Sequence, residues 1–278
     1  MKFQSGLYFL ALSLFSFAVR GQENLFNEEN TRKFAEYLLE SGQADFAVKE
    51  YERLLYLDAS KLNTKLGLMK AYRLSGRNDQ GVQRTYQIFE DINTMPRSHS
   101  IEFSKLLLNE RSWDLANTFW DESQTLPSDD KVLLKSTVSI FDSKFQQAHE
   151  QLLNLSDTTN YLGKGYVSIV DRGLHGKRKS PFLAGFMSTA IPGLGKAYTG
   201  DWKDGLVSLI FTGGMAFQAI RKFNQFGPNN YRPWVYTVIG SGFYLGNIYG
   251  SVKSAKNKNI KRINLLQHEA SDLFNSYY

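Results

Sequence analysis

The chain has 278 residues, enough for one large domain or two modest ones, and contains no cysteine. That absence excludes disulfides, thiolate metal sites, thiol nucleophiles and a lipid-modified cysteine. The net charge of +6 divides unevenly: residues 22–171 hold 17 basic against 23 acidic side chains, whereas residues 172–278 hold 14 against 4.

Residues 1–21 carry Lys2, then an uncharged run from Gln4 to Val19, then small residues before a cut after Gly21. The run is short and a polar, charged segment follows, so a cleaved secretory signal is expected, with an uncleaved anchor as the alternative. Arg20 is unusual so close to a cut.

A helical-repeat domain is expected over 22–160: residues 30–160 are rich in Leu, Glu, Lys, Gln and Ala, with apolar residues at helical spacing. Ala35, Leu38, Gly42, Ala47, Tyr51 and Leu54 recur 34 residues later as Met69, Tyr72, Gly76, Gly81, Thr85 and Ile88. Looser echoes follow at Leu106, Ala116 and Trp120, and at Ala148, Leu152 and Leu155. A small residue at Ala47, Gly81, Ala116 and Ala148 lets paired helices approach, and larger residues beyond it fill the space to the next pair. Gly42 and Gly76 suit a turn needing positive φ, while the last two units lack that glycine. The period and pattern resemble the tetratricopeptide repeat. The resemblance implies stacked helical hairpins with a concave face that holds a peptide or protein partner. Trp113, Phe119 and Trp120 are expected to be core rather than surface anchors.

Residues 161–179 read as a basic linker. Three uncharged runs then follow, 180–195, 205–220 and 233–252, and twelve of the 22 glycines lie between Pro181 and Val252. This is the composition of closely packed membrane helices. Pro192, Gly193 and Gly195 should break a continuous helix, leaving a short interfacial helix before them. Two transmembrane helices are expected near 205–220 and 233–252. Ser208, Thr212 and Ala216 on the first, and Gly242, Gly246 and Gly250 on the second, form small-residue stripes expected to pack together. On that reading leucine at Gly246 disrupts the fold. Tyr198, Trp202, Tyr231 and Trp234 are placed at head-group level.

The motif Pro192-Gly193-x-Gly195-x-x-Tyr198-x-Gly200, with Gly205 opening the next run, resembles a small bacterial membrane domain of two helices. Gly246-Asn247-Ile248-Tyr249-Gly250, then Ser254-Ala255-Lys256, looks like its second helix. The resemblance covers 180–259 and implies an envelope protein with helical repeats, with no known activity. Residues 260–278 read as an amphipathic helix with Ile263, Leu266, Ala270 and Leu273 on one face, lying on the membrane or packed on the hairpin.

Other chemistry finds no footing. Gly193-Leu194-Gly195-Lys196 lacks the rest of a phosphate loop, and Ala197 replaces its hydroxyl residue. The four histidines show no metal-ligand spacing, and no nucleophile elbow occurs. No catalytic, cofactor or metal site is expected, and the basic half reads as a lipid-facing flank rather than a nucleic-acid surface. The fold class is thus an all-α helical-hairpin solenoid followed by a glycine-rich transmembrane hairpin. The expected role is an adaptor of the bacterial envelope, repeats outside the cytoplasm and inner membrane as the site. It would bind a protein or peptide, meet anionic lipids, and form homo-oligomers through its glycine faces. The alternative makes the membrane domain the working part, an oligomeric transport or lipid-handling component regulated by the repeats. Basic flanks at 177–179 and 253–262 conflict with an exported hairpin under the positive-inside tendency.

Overall fold

The computed structural model describes residues 27–157 and 159–278; the signal expected at 1–21 lies outside them. It is all-helical, with 13 α-helices and no strand among the described residues. The chain forms two compact units, Met1–Lys131 and Val132–Tyr278.

The first unit is built from helical hairpins. Helices α1 (Glu28–Glu40) and α2 (Ala44–Leu57) form the first, α3 (Leu62–Leu74) and α4 (Asn78–Ile88) the second, α5 (Arg97–Glu110) and α6 (Trp113–Glu122) the third. The Asn27 side chain caps α1 by accepting from the Asn30 amide at 2.7 Å. Ala35, Leu38, Ala47, Val48, Tyr51 and Leu54 are buried together between the first two pairs. Tyr51 lies against α3 where Gly67 leaves room, an ideal Cβ there falling 2.3 Å from the ring. In the third pair Trp120 is fully buried and donates from Nε1 to Ser104 Oγ at 2.8 Å. Phe119 meets Phe103 edge-on at 5.0 Å, so both aromatics are core.

Helix α7 (Ser128–Phe141) crosses the boundary between the units, and with α8 (Phe145–Leu152) it makes a fourth hairpin. The four turns share one geometry. Gly42, Gly76, Arg111 and Ser143 all have positive φ, between 58° and 75°. In each turn that residue's N–H donates to the carbonyl three residues back, and the next N–H to the carbonyl five residues before itself. This is the Schellman helix stop. Five residues after the left-handed position come Ala47, Gly81, Ala116 and Ala148, and nine after it Tyr51, Thr85, Trp120 and Leu152, all buried.

The second unit continues with α9 (Tyr161–His175), α10 (Pro181–Ala190), α11 (Leu194–Thr199), α12 (Trp202–Phe226) and α13 (Tyr231–Tyr277). The stretch 161–179, read from its charge as a linker, therefore contains a helix with Leu162, Tyr166, Ile169 and Val170 buried. The 47 residues of α13 form a single helix, about 70 Å long at 1.5 Å per residue. No glycine or proline follows Gly250, so nothing stops the helix between the second apolar run and the C-terminus. Its early turns pack on α10, α11 and α12. Its late turns bury Leu266 and Ala270 in a core with Leu133, Ile140, Phe145, Leu152 and Tyr166, with Ile263 and Leu273 against it. The expected amphipathic C-terminal helix is thus the end of α13, packed on α9 and the fourth repeat hairpin rather than on the glycine-rich hairpin.

The spans expected near 205–220 and 233–252 are helical and pair as α12 with the first half of α13. However, among the described residues no helix is long and apolar enough to cross a membrane. The uncharged run 205–220 reaches only about 24 Å against a hydrocarbon core of about 30 Å. The second run is diluted by Tyr, Ser, Thr, Gly and Asn.

Candidate functional site

The proline-glycine motif folds into a short connector held from three sides. Helix α10 ends at Ala190 and α11 begins at Leu194, so the chain breaks at Pro192 as expected. Gly193 has φ +87°, and a Cβ on it would lie 1.9 Å from the Gly205 carbonyl oxygen, so the α12 backbone lies directly against it. A Cβ at Gly195 would lie 1.9 Å from the Ala184 carbonyl oxygen of α10. Gly200, at φ +97°, closes α11.

Side-chain amides and hydroxyls satisfy the backbone that this close packing strips of water. Gly193 N–H donates to Asn247 Oδ1 at 3.0 Å, and Gly195 N–H to Ser188 Oγ at 3.0 Å. Ser188 and Ser251 hydroxyls lie 2.7 Å apart, and Thr199 and Ser254 hydroxyls 2.6 Å apart. The Asp201 carboxylate accepts from the Ser254 hydroxyl, so it is a tie within the fold rather than a free polar site. Tyr198 is likewise a tie. Its hydroxyl accepts from the Ser180 amide at 3.2 Å, and the Lys179 ammonium sits 4.5 Å above its ring. Trp202, Tyr231 and Trp234 are exposed.

The two small-residue stripes do not meet as expected. The close approach of α13 to α12 is at Gly240, where a Cβ would sit 3.2 Å from Met215 Cβ. Gly242 and Gly246 have nothing within 4 Å of an added Cβ. They border instead a groove of about 300 Å³ with Lys196, Ser208, Thr212, Phe211, Phe243 and Asn247. Ala216 lies on another groove of about 420 Å³ between the same helices, beside Gly240. The stripes were read as mutual contacts because small residues permit contact; spacing alone does not say whether a void or a neighbour fills the space. Leucine at Gly246 would enter this groove and strike no neighbour within 4 Å of its Cβ.

Two buried polar atoms at the first groove have no hydrogen-bond partner: Thr212 Oγ1 and Asn247 Nδ2. Asn247 is 4% exposed and Thr212 8%. Because the Gly193 amide must meet an oxygen, the Asn247 amide orientation is set and its NH₂ is left over. Leaving a buried donor unpaired costs about 1–3 kcal/mol. The Lys196 ammonium donates to Ser208 Oγ at 2.9 Å and pairs with no carboxylate among the described residues. Gly250 makes this reach possible, since a Cβ there would already lie 3.3 Å from Lys196 Cε. Sequence reasoning set Lys196 aside with the failed phosphate loop and left Asn247 without a role. The available signal was a cation and an amide beside or within glycine-rich apolar runs.

On the repeats, a groove of about 460 Å³ is bordered by Glu52, Leu55, Tyr56, Ala59, Arg84 and Ile88. It lies along the second helices α2 and α4, with Tyr56 91% exposed at its edge. The residues singled out in the repeats, Ala35, Leu38, Ala47, Tyr51, Gly81, Ala116 and Ala148, are buried, and Gly42 and Gly76 are turn residues. Comparison with protein-family models, with curated proteins and with solved structures found no match.

Proposed function

We propose that the protein is an adaptor seated on a membrane: the α12–α13 hairpin lies in lipid and the tetratricopeptide-like repeats hold a protein or peptide beside it. One observation carries the reading. Phe182, Phe186, Ile210, Phe217, Val238 and Leu245, spread over α10, α12 and early α13, are all at least half exposed. An apolar surface this extended marks a lipid or protein contact rather than a water-facing face. Lys253, Lys256, Lys258, Lys261 and Arg262 follow on the same helix, where they suit anionic head groups. Hydroxyl and amide bonds tie α10, α11 and the connector between them to α13, the chemistry that joins helices in lipid. Export of the repeats into a bacterial envelope space, at the inner membrane, completes the proposal.

Single cysteines at Ser60, Asn229 and Ser276 of the otherwise cysteine-free chain test it in cells, using a membrane-impermeant maleimide. Expected are a chain that stays with membranes after salt washing and a Ser60 site labelled once the outer membrane is opened. Recovery of the chain in the soluble fraction would overturn the lipid seat. Labelling of Ser60 only after the inner membrane is broken would move the repeats to the cytoplasm. A photo-cross-linker at Tyr37 or Tyr56 then reports the partner. A second reading, in which the hairpin itself handles a lipid or small solute, is favoured by the two unpaired buried atoms at the Lys196 groove.

A further inference from the structure

We infer that the groove between α11, α12 and α13 binds the oxyanion of an acyl-chain amphiphile, with Lys196, Asn247 and Thr212 as its polar contacts. The inference deepens the lipid-surface reading and rests on it. Three residues bordering the groove carry donors. The Lys196 ammonium spends one of its three hydrogens on Ser208. Asn247 Nδ2 and Thr212 Oγ1 have no partner at all. No carboxylate borders the groove, so the bound group that completes these bonds without leaving a charge unbalanced is a carboxylate or phosphate oxygen. The rest of the border is Val207, Phe211 and Phe243, which favour an apolar chain attached to that anion. Gly242 and Gly246 keep the groove open, and Gly250 lets the lysine stem pass over α13.

The test uses the full chain in nonionic detergent, titrated with a fatty acid that carries a pyrene at its far end. The same titration with its methyl ester isolates the charge, and competition by inorganic phosphate isolates the chain. Saturable binding of the acid is expected. Lys196→Met and Asn247→Asp should each weaken it roughly tenfold or more, the loss of one charge-assisted hydrogen bond. Asn247→Asp keeps the oxygen that accepts from Gly193, so the fold retains its tie while the donor becomes a repelling charge. Gly246→Leu, which meets open space, should abolish binding by filling the groove. Equal affinity for acid and ester, or unchanged binding in Lys196→Met and Asn247→Asp, would overturn the site. Displacement of the acid by phosphate at equal affinity would overturn the acyl-chain part. Vesicle flotation of wild type and Lys196→Met is read separately. Wild-type chain that fails to float counts against the membrane seat, whereas both proteins floating with no acid binding counts against the groove alone.

Discussion

The repeat hairpins and the glycine-rich hairpin are both stacks of paired helices, yet they are joined by different chemistry. Successive repeats are tied by ion pairs between positions about one repeat apart: Arg77 with Asp45 at 3.2 Å, Arg84 with Glu52 at 2.7 Å, Arg97 with Asp130 at 2.6 Å, and Lys61 with Glu28. Among the described residues, 181–259 hold no ion pair; hydroxyls, one amide and glycine backbones do the joining. Exposed ion pairs are weak in water but cost little there. Hydroxyl and amide ties, with backbones in contact, suit surroundings in which charge is expensive to bury. The glycines differ too: Gly42 and Gly76 serve positive φ at a turn and Gly67 and Gly81 make room for side chains, whereas Gly193, Gly195 and Gly205 bring backbone against backbone.

The largest effect should come from breaking that contact. Gly193→Ala combines a left-handed φ with a Cβ 1.9 Å from a carbonyl oxygen on a neighbouring helix, and no flexible side chain is there to move. A loss of about 3 kcal/mol or more is expected, read as faster hydrogen exchange across α10–α13 while α1–α6 keep their protection. Gly246→Ala is the control and should stabilise by about 0.5–1 kcal/mol, since its Cβ meets open space and alanine suits a helix interior better than glycine. If the two variants exchange alike, backbone contact is not what holds the motif.

How far the sequence showed these differences depends on how locally each is encoded. The first two turns announced themselves because their left-handed residue is glycine. The last two did not, since Arg111 and Ser143 give no such hint, although the small residue five positions on is alanine in both. The single 47-residue helix was not legible: the change at Val252 from apolar to basic reads as a boundary, although no glycine or proline stops the helix there and its far end packs against α9 and the fourth hairpin. The groove was hidden more deeply. Ser208, Thr212 and Ala216 were matched to Gly242, Gly246 and Gly250 as mutual contacts, but whether such stripes touch or gape depends on the side chains around them, such as Met215 and Phe243.

A smaller effect tests whether the four turns are one motif despite their different residues. A non-glycine residue held left-handed loses roughly 1–2 kcal/mol, and glycine's greater freedom in the unfolded chain returns about 0.4–1 of it. Arg111→Gly should therefore stabilise the third hairpin by about 0.5–1 kcal/mol, and Gly42→Ala should destabilise the first by a similar amount. Gly42 has nothing within 4 Å of an added Cβ, so backbone conformation alone sets the sign. Denaturant midpoints that move the same way in both variants would break the equivalence of the turns.

The smallest effect lies in a titratable group that the glycine-rich hairpin has no counterpart for. His99 on α5 is 3% exposed, and its Nε2 donates to the Leu62 carbonyl at 2.8 Å. Burial is the largest influence and lowers its pKa below the ordinary imidazole value, against the pull of that hydrogen bond; Lys65 and Lys70 lower it further. The unfolded chain therefore binds the proton more readily than the folded one, so stability rises with pH across this window. The full contribution is present above about pH 6.5, the unfolded value. It declines as pH falls from there towards the folded value and is level below it. Thermal melts of the full chain should therefore show the repeat transition moving down as pH falls from 7 to 5, and His99→Gln should flatten that slope. The amide can still donate to the Leu62 carbonyl but takes up no proton, which separates charge from lost packing. An equal slope in His99→Gln would show that His99 is not the source of the acid sensitivity.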